Sequence, residues 1–365
     1  MVFPKRLLAI PFALVGAVWV STTCPVQAAS LETFVMGTTG QSNWSTYGVP
    51  TPVYDNFGVW GGSIPTNPAG LAASGIAGTT RLNNSAAAAS LTDSITAGGS
   101  GLSAFGAWTY SGSSRVNVNY GKLGSESHAI HTGNGDNMTV NNAESYGIMH
   151  DSLNPTSPGV IAGVNGTMRL AVTVDGMMKV SGKGTVGMML RYGFGAPMPV
   201  MDKTLLETFV DIYGNGVQTY GPHSSFGSFV TPPGMAFTYG PNDPSGLPSS
   251  IEFGGATTVY ATVPITFGGD TDFRMGMMTW VNPGNGSGIL DTGFGQTATI
   301  TGIELFDNLG QSVPEFTISS GSGTLYTASG VQVVVVPEAG TLALLIAGAS
   351  IGLIRIRARQ GAESR

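Results

Sequence analysis

Met168-Arg169-Leu170-Ala171-Val172-Thr173-Val174 runs into Asp175-Gly176, and Met177-Met178-Lys179-Val180 follows. Apolar side chains alternate with their neighbours through the first run, a period of two that belongs to a half-buried strand. Asp-Gly between two apolar runs predicts a β-hairpin, because both turn positions tolerate positive φ. A second hairpin is expected where Phe209-Val210-Asp211-Ile212-Tyr213 meets Val217-Gln218-Thr219-Tyr220 across Asn215-Gly216. Working outward, Val116, Val118 and Tyr120 alternate in the same way, and so do Tyr146, Ile148 and His150. Further strands are expected over 185–192, 257–267, 273–281, 297–306 and 316–318.

The chain shows no heptads, no alternating strand and helix blocks, and no fixed repeat. An all-β fold built as an antiparallel β-sandwich, jelly-roll-like in topology, is the expected solution for many short strands separated by turn residues. That sandwich is expected over 108–336. Before it, 29–107 reads as a Gly/Ser/Ala-rich irregular β region, in which the small-residue run 84–90 is the only stretch that suggests a helix. The 55 glycines suit tight turns, and with only 10% charged residues the surface is expected to be Ser, Thr, Asn and Gly.

The two ends read differently. Lys5 and Arg6 precede an apolar run from Leu7 to Val20, and Val26-Gln27-Ala28 supplies small residues for a cut, so 1–28 reads as a secretory signal helix. Cys24, the single cysteine, falls inside it, which leaves the mature body without a thiol or a Cys-based metal site. At the other end Val336-Pro337-Glu338-Ala339 opens 337–365, followed by an uncharged run from Thr341 to Ile354 and then Arg355, Arg357 and Arg359. Fourteen helical residues cover about 21 Å, short of a roughly 30 Å hydrocarbon core. The run therefore predicts a short transmembrane helix suited to transient inner-membrane engagement, with the arginines on the cytoplasmic side.

Six of the 15 Lys and Arg and two of the 21 Asp and Glu lie in these end segments, leaving 9 basic and 19 acidic residues between them. A body about ten charges negative is a poor partner for nucleic acid or an anionic membrane.

The tail resembles the PEP-CTERM sorting domain of Gram-negative bacteria, in which a Pro-Glu-Pro motif, a hydrophobic helix and a basic end are recognised by an exosortase. Pro337 and Glu338 match the motif, with Ala339 where the family usually has a second proline. The stretch 292–326, with Phe294 to Leu305 and then Phe316-Thr317-Ile318-Ser319, is similar to the last strands before the tail in many such passengers. The resemblance implies export, removal of the tail by an exosortase-type enzyme, and delivery to the cell surface or an extracellular matrix, often alongside exopolysaccharide.

Candidate chemistry is sparse. His128, His131, His150 and Asp151 are candidate transition-metal ligands, and Asp270 and Asp272 are candidate calcium ligands. A three-residue step along a strand sends His128 and His131 to opposite faces, which opposes a shared ion. No catalytic residue or cofactor is expected, since neither a nucleophile elbow nor a carboxylate pair can be singled out. The expectation is a non-catalytic surface or matrix protein associated with exopolysaccharide or biofilm. The alternatives are a carbohydrate-binding module that stacks sugars on Trp44, Trp60, Trp108 and Trp280, and a secreted metal-dependent hydrolase. The paired methionines, Met177-Met178, Met188-Met189 and Met277-Met278, are expected in the core.

Overall fold

The computed structural model describes residues 29–40, 76–86, 88–103, 105–133, 141–195, 201–213, 216–220, 231–283 and 286–332. The leader, the sorting motif at Val336 to Ala339, the arginines of the tail, Trp44 and Trp60 lie outside them. Strand accounts for 76% of the described residues, with no helix among them. An average domain carries about 20–25% strand, so the all-β expectation holds.

The strands form two antiparallel sheets that curve together as a half-barrel. In the first sheet, β10 (Gly216–Tyr220), β9 (Lys203–Tyr213), β8 (Gly184–Gly195), β13 (Thr271–Asn282) and β6 (Asn142–Thr156) are neighbours in that order. The far edge of β6 is shared. β1 (Ser30–Gly40) pairs along its first part and carries β2 (Ile76–Ser85), while β16 (Thr317–Ser320) pairs along its last part and carries β17 (Leu325–Thr327) and β18 (Gly330–Gln332). In the second sheet the order is β11 (Met235–Tyr239), β12 (Ser250–Thr266), β7 (Asn165–Gly182), β14 (Gly288–Phe306), β5 (Lys122–Gly133), β4 (Gly106–Asn119) and β3 (Ser90–Ser103). β15 (Ser312–Val313) pairs with the end of β14.

The predicted pairing of 209–213 with 217–220 is present, but Gly216 belongs to the ladder, opposite Tyr213, and the connection at 214–215 lies outside the described residues. The hairpin at Asp175-Gly176 is absent: β7 runs straight through it, with Asp175 opposite Ala256 and Gly176 opposite Gly255 on β12. Side-chain parity explains the difference. Met168, Leu170, Val172, Val174, Met178 and Val180 are all buried and all even-numbered, so the alternation crosses the Asp-Gly pair without a change of phase. A two-residue turn would have directed Lys179 inward instead. The described part of 29–107 is likewise regular strand, and the 107/108 boundary falls within β4. Among the described residues of 84–90 there is no helix: Ser85 ends β2, and Ser90 starts β3.

The sheets meet over a core that includes Leu31, Val118, Met149, Leu170, Val172, Phe273, Met275 and Leu305. They approach closely at Gly147, where an added Cβ would lie 2.2 Å from Val118 Cγ2 and 2.8 Å from Val116 Cγ2. Gly147→Val is therefore expected to destabilise the protein by about 1–3 kcal/mol through overpacking, measured by chemical denaturation. Part of the serine and threonine content is internal. Ser125 Oγ lies 2.8 Å from both Ser145 Oγ and Thr279 Oγ1, and Ser127 Oγ lies 3.1 Å from Thr279 Oγ1. These small hydroxyls satisfy one another between the sheets, which is how such residues can enter a core.

The first sheet is also covered on its outer side. Phe34, Met36, Tyr146, Ile148, Met189, Met201 and Met278 form a second cluster there, with Trp280 packed against it. β6 and β13 are consequently buried on both faces, so the adjacent methionines divide between clusters: Met188 and Met277 point inward, Met189 and Met278 outward. Met177 departs from the expected pattern and is 38% exposed.

Candidate functional site

Strand register on the outer face of the second sheet builds a trough from residues far apart in sequence. One row crosses from β3 to β5 through Ser94, Arg115 and Glu126. It continues over Gly293, Met177, Gly254 and Ala236, ending on β11. The neighbouring row begins with Thr96, Ser113 and His128 and continues through Asp291, Lys179, Glu252 and Thr238. Residues two apart on a strand share a face about 6.6 Å apart, so the rows lie side by side. The first is low on either side of Met177, because Gly293 and Gly254 carry no side chain, and the second carries longer side chains beside it.

Two grooves of about 540 Å³ and about 410 Å³ occupy this face, and both are lined by Met177 and Gly293. Met177 and Gly293 stand where the two meet. His128 Nδ1 pairs with Asp291 Oδ1, and Lys179 Nζ lies 3.8 Å from Glu252 Oε2. The His128 and Asp291 side chains are 40% and 36% exposed, so solvent reaches both. An exposed pair of this kind contributes little to folding, and His128→Ala is expected to change stability by less than about 1 kcal/mol in denaturant titrations. What the trough offers is a line of alternating donors and acceptors with an apolar thioether in the middle.

The sequence-predicted ligands are dispersed. His128 faces the trough, whereas His131 points into the core, stacked on Trp108 with Nδ1 2.7 Å from the Gly286 carbonyl. Burial pushes the His131 pKa down, favouring the neutral ring. His150 is buried on the first sheet, with Nε2 3.6 Å from Asp272 Oδ1, and burial lowers its pKa as well. Asp270 accepts a hydrogen bond from Asn154 Nδ2 at 2.8 Å. Among the described residues, no group of three or more His, Cys, Asp or Glu is placed to hold a metal ion.

Asp151 serves a different end. Its carboxylate accepts hydrogen bonds from Ser322 N at 2.9 Å, Ser322 Oγ at 2.6 Å and Tyr326 Oη at 2.9 Å, which ties β6 to the β16–β17 turn. Of the tryptophans among the described residues, Trp108 is buried between the sheets and fills core rather than offering a stacking face, and Trp280 is half-buried against the outer cluster of the first sheet. Sequence reading missed Arg115, Glu126, Met177, Lys179, Glu252 and Asp291, because only register brings them together. The one available signal was Met177, an apolar residue out of phase with the buried even positions.

The first sheet carries a second polar group of residues, buried rather than open. Tyr146 Oη donates to Glu32 Oε1 at 3.0 Å, and Arg274 Nη2 lies 3.9 Å from Glu32 Oε2. Glu144, two residues before Tyr146, is fully buried, and among the described residues neither of its carboxylate oxygens has a hydrogen-bond partner. Among the described residues, no helix is long and apolar enough to cross a membrane. No family model, curated protein or solved structure matches the chain.

Proposed function

We propose that this chain is an exported, non-catalytic component of the cell surface or extracellular polymer matrix of a Gram-negative bacterium, sorted by its PEP-CTERM-like tail through an exosortase-type enzyme. The observation that supports the reading is that an all-β body occupies the chain between the two processing points expected from sequence. The described strands all lie between those points: β1 starts at Ser30, after the cut expected behind Ala28, and β18, Gly330–Gln332, precedes the motif at Pro337. Five residue steps from Gln332 to Pro337 reach at most about 18 Å. A membrane-engaged tail therefore holds the β body close to the bilayer until it is cut, and removal frees a body that carries excess negative charge.

The passenger fold we propose is a jelly-roll β-sandwich. Its support is the pairing of β5 with β14, β6 with β13 and β7 with β12, successive rungs of one antiparallel ribbon that alternate between the sheets. β14 then joins β7, and β13 joins β8, as a wound ribbon requires.

Mass spectrometry of the termini of the secreted protein, in cells with and without the exosortase, tests the sorting. The expected product begins at Ala29 and lacks the hydrophobic tail. Deleting the enzyme should leave the tail attached and the protein in the membrane fraction. An intact tail in wild-type membranes, unchanged by the deletion, would overturn the proposal.

A further inference from the structure

We infer that the trough on the outer face of the second sheet is a binding site for a neutral, hydroxyl-rich linear polysaccharide, laid across the strands. The inference deepens the matrix reading above and rests on it for the polymer's presence, but its support is geometric. The two rows touch all seven strands from β3 to β11. At about 4.8 Å between strands the trough is roughly 29 Å long, which suits an extended chain better than a compact metabolite.

Its chemistry selects the occupant. A sugar hydroxyl both donates and accepts, and the wall alternates groups of each kind: His128, Asp291, Lys179 and Glu252 follow one another on consecutive strands. Sugar rings also present apolar C–H faces, and the exposed Met177 thioether, polarizable and adaptable, stands where such a face would rest. The carboxylates Glu126, Asp175, Glu252 and Asp291 outnumber the cations Arg115 and Lys179 around the two grooves, so a polyanion is repelled. The low floor is specific to glycine. At Gly293 an added Cβ would meet only Met177 atoms, at 3.9 Å, so this position is small although the fold has room for more. At Gly295 a Cβ would lie 1.6 Å from Glu126 Oε1, so the absence of a side chain lets that carboxylate lie where it does.

The full-length chain, kept soluble in a polyoxyethylene detergent, is run through native gels containing dextran, mixed-linkage β-glucan or galactomannan as neutral polymers, and alginate or chitosan as charged ones. At least one neutral polymer is expected to retard the wild type. Gly293→Val, which fills the floor, should weaken the retardation at least ten-fold at an unchanged denaturation midpoint. A His128→Ala/Asp291→Ala double variant, made on the solvent side, should weaken it at least five-fold and serves if the valine variant fails to fold. Retardation by no neutral polymer, retardation that survives these substitutions, or retardation by alginate or chitosan alone would overturn the inference. No cells enter this experiment, so its failure is separate from a failure of the export reading, which the terminal masses decide.

Discussion

Asp151→Ala is expected to destabilise the protein by about 3–5 kcal/mol and to detach its C-terminal strands first. Asp151 stands at a seam in the sheet. The ladder between β6 and β1 ends at His150, and the ladder between β6 and β16 begins at Leu153, so neither neighbour covers Asp151 and Ser152. The gap is closed by Gly321 N donating to the Ser152 carbonyl at 2.8 Å and by the Asp151 carboxylate, which takes hydrogen bonds from Ser322, Tyr326 and the Ser152 amide. Truncation would leave the buried Tyr326 hydroxyl and the Ser322 amide and hydroxyl without this acceptor, and each buried donor left unsatisfied costs about 1–3 kcal/mol, which together reach the expected loss. Among the described residues β17 and β18 join the first sheet through β16, so they should loosen with it, although the Ala328 carbonyl between them also accepts from Ile303 N of β14. Limited proteolysis read by mass spectrometry should show cleavage near 320–330 in the variant well below its global unfolding midpoint. Asp151→Asn keeps one acceptor oxygen and should lose less. Equal proteolysis of wild type and Asp151→Ala would show that the seam is held by other contacts.

The class of fold was legible because strand periodicity is local: two-residue alternation in 116–120, 146–150 and 168–174 needs no knowledge of partners. Where sequence reading failed, two local signals disagreed. Asp-Gly favoured a turn, but a turn would have brought Lys179 to the core face, while a continuous strand buried Met178 and Val180. Tertiary pairing with β12 and β14 on both sides favoured the continuous strand. Gly176 then serves close packing rather than turning: an added Cβ would lie 2.4 Å from Phe294 Cδ1.

The candidate site was hardly legible at all. His128 and Asp291 are neighbours because β5 and β14 pair, and Asp291 and Lys179 because β14 also pairs with β7. Nothing at positions 128, 179 or 291 announces a row, because long-range register is a property of the whole ribbon. The histidines drew notice as metal-ligand types, yet strand alternation separated His128 from His131, as the three-residue spacing implied.

Glu144→Met is expected to stabilise the protein by about 1–4 kcal/mol at neutral pH and to flatten its dependence on pH. Glu144 lies on β6 between Met36 of β1 and Trp280 of β13, next to a methionine-rich cluster. Burial, with no partner among the described residues, pushes its pKa well above the usual carboxylate range, so the folded state holds a proton that the unfolded chain readily releases. The sign follows from the protons bound. Below the unfolded-state pKa both states are protonated, and the carboxyl gives no pH dependence. As pH rises through that range, the unfolded chain ionises while the folded protein does not, so stability falls until the folded-state pKa is passed. Methionine has similar length, no charge and a thioether that adapts to irregular packing. Replacing even a buried ion pair with well-packed apolar groups of similar volume is neutral or stabilising by about 1–4 kcal/mol, and a lone buried carboxyl gives up no pairing energy in exchange. Urea denaturation of wild type and variant at pH 4.5, 6 and 8 should show a gap that widens with pH. A gap that is constant, or that narrows toward pH 8, would mean that Glu144 is charged and partnered in the folded protein.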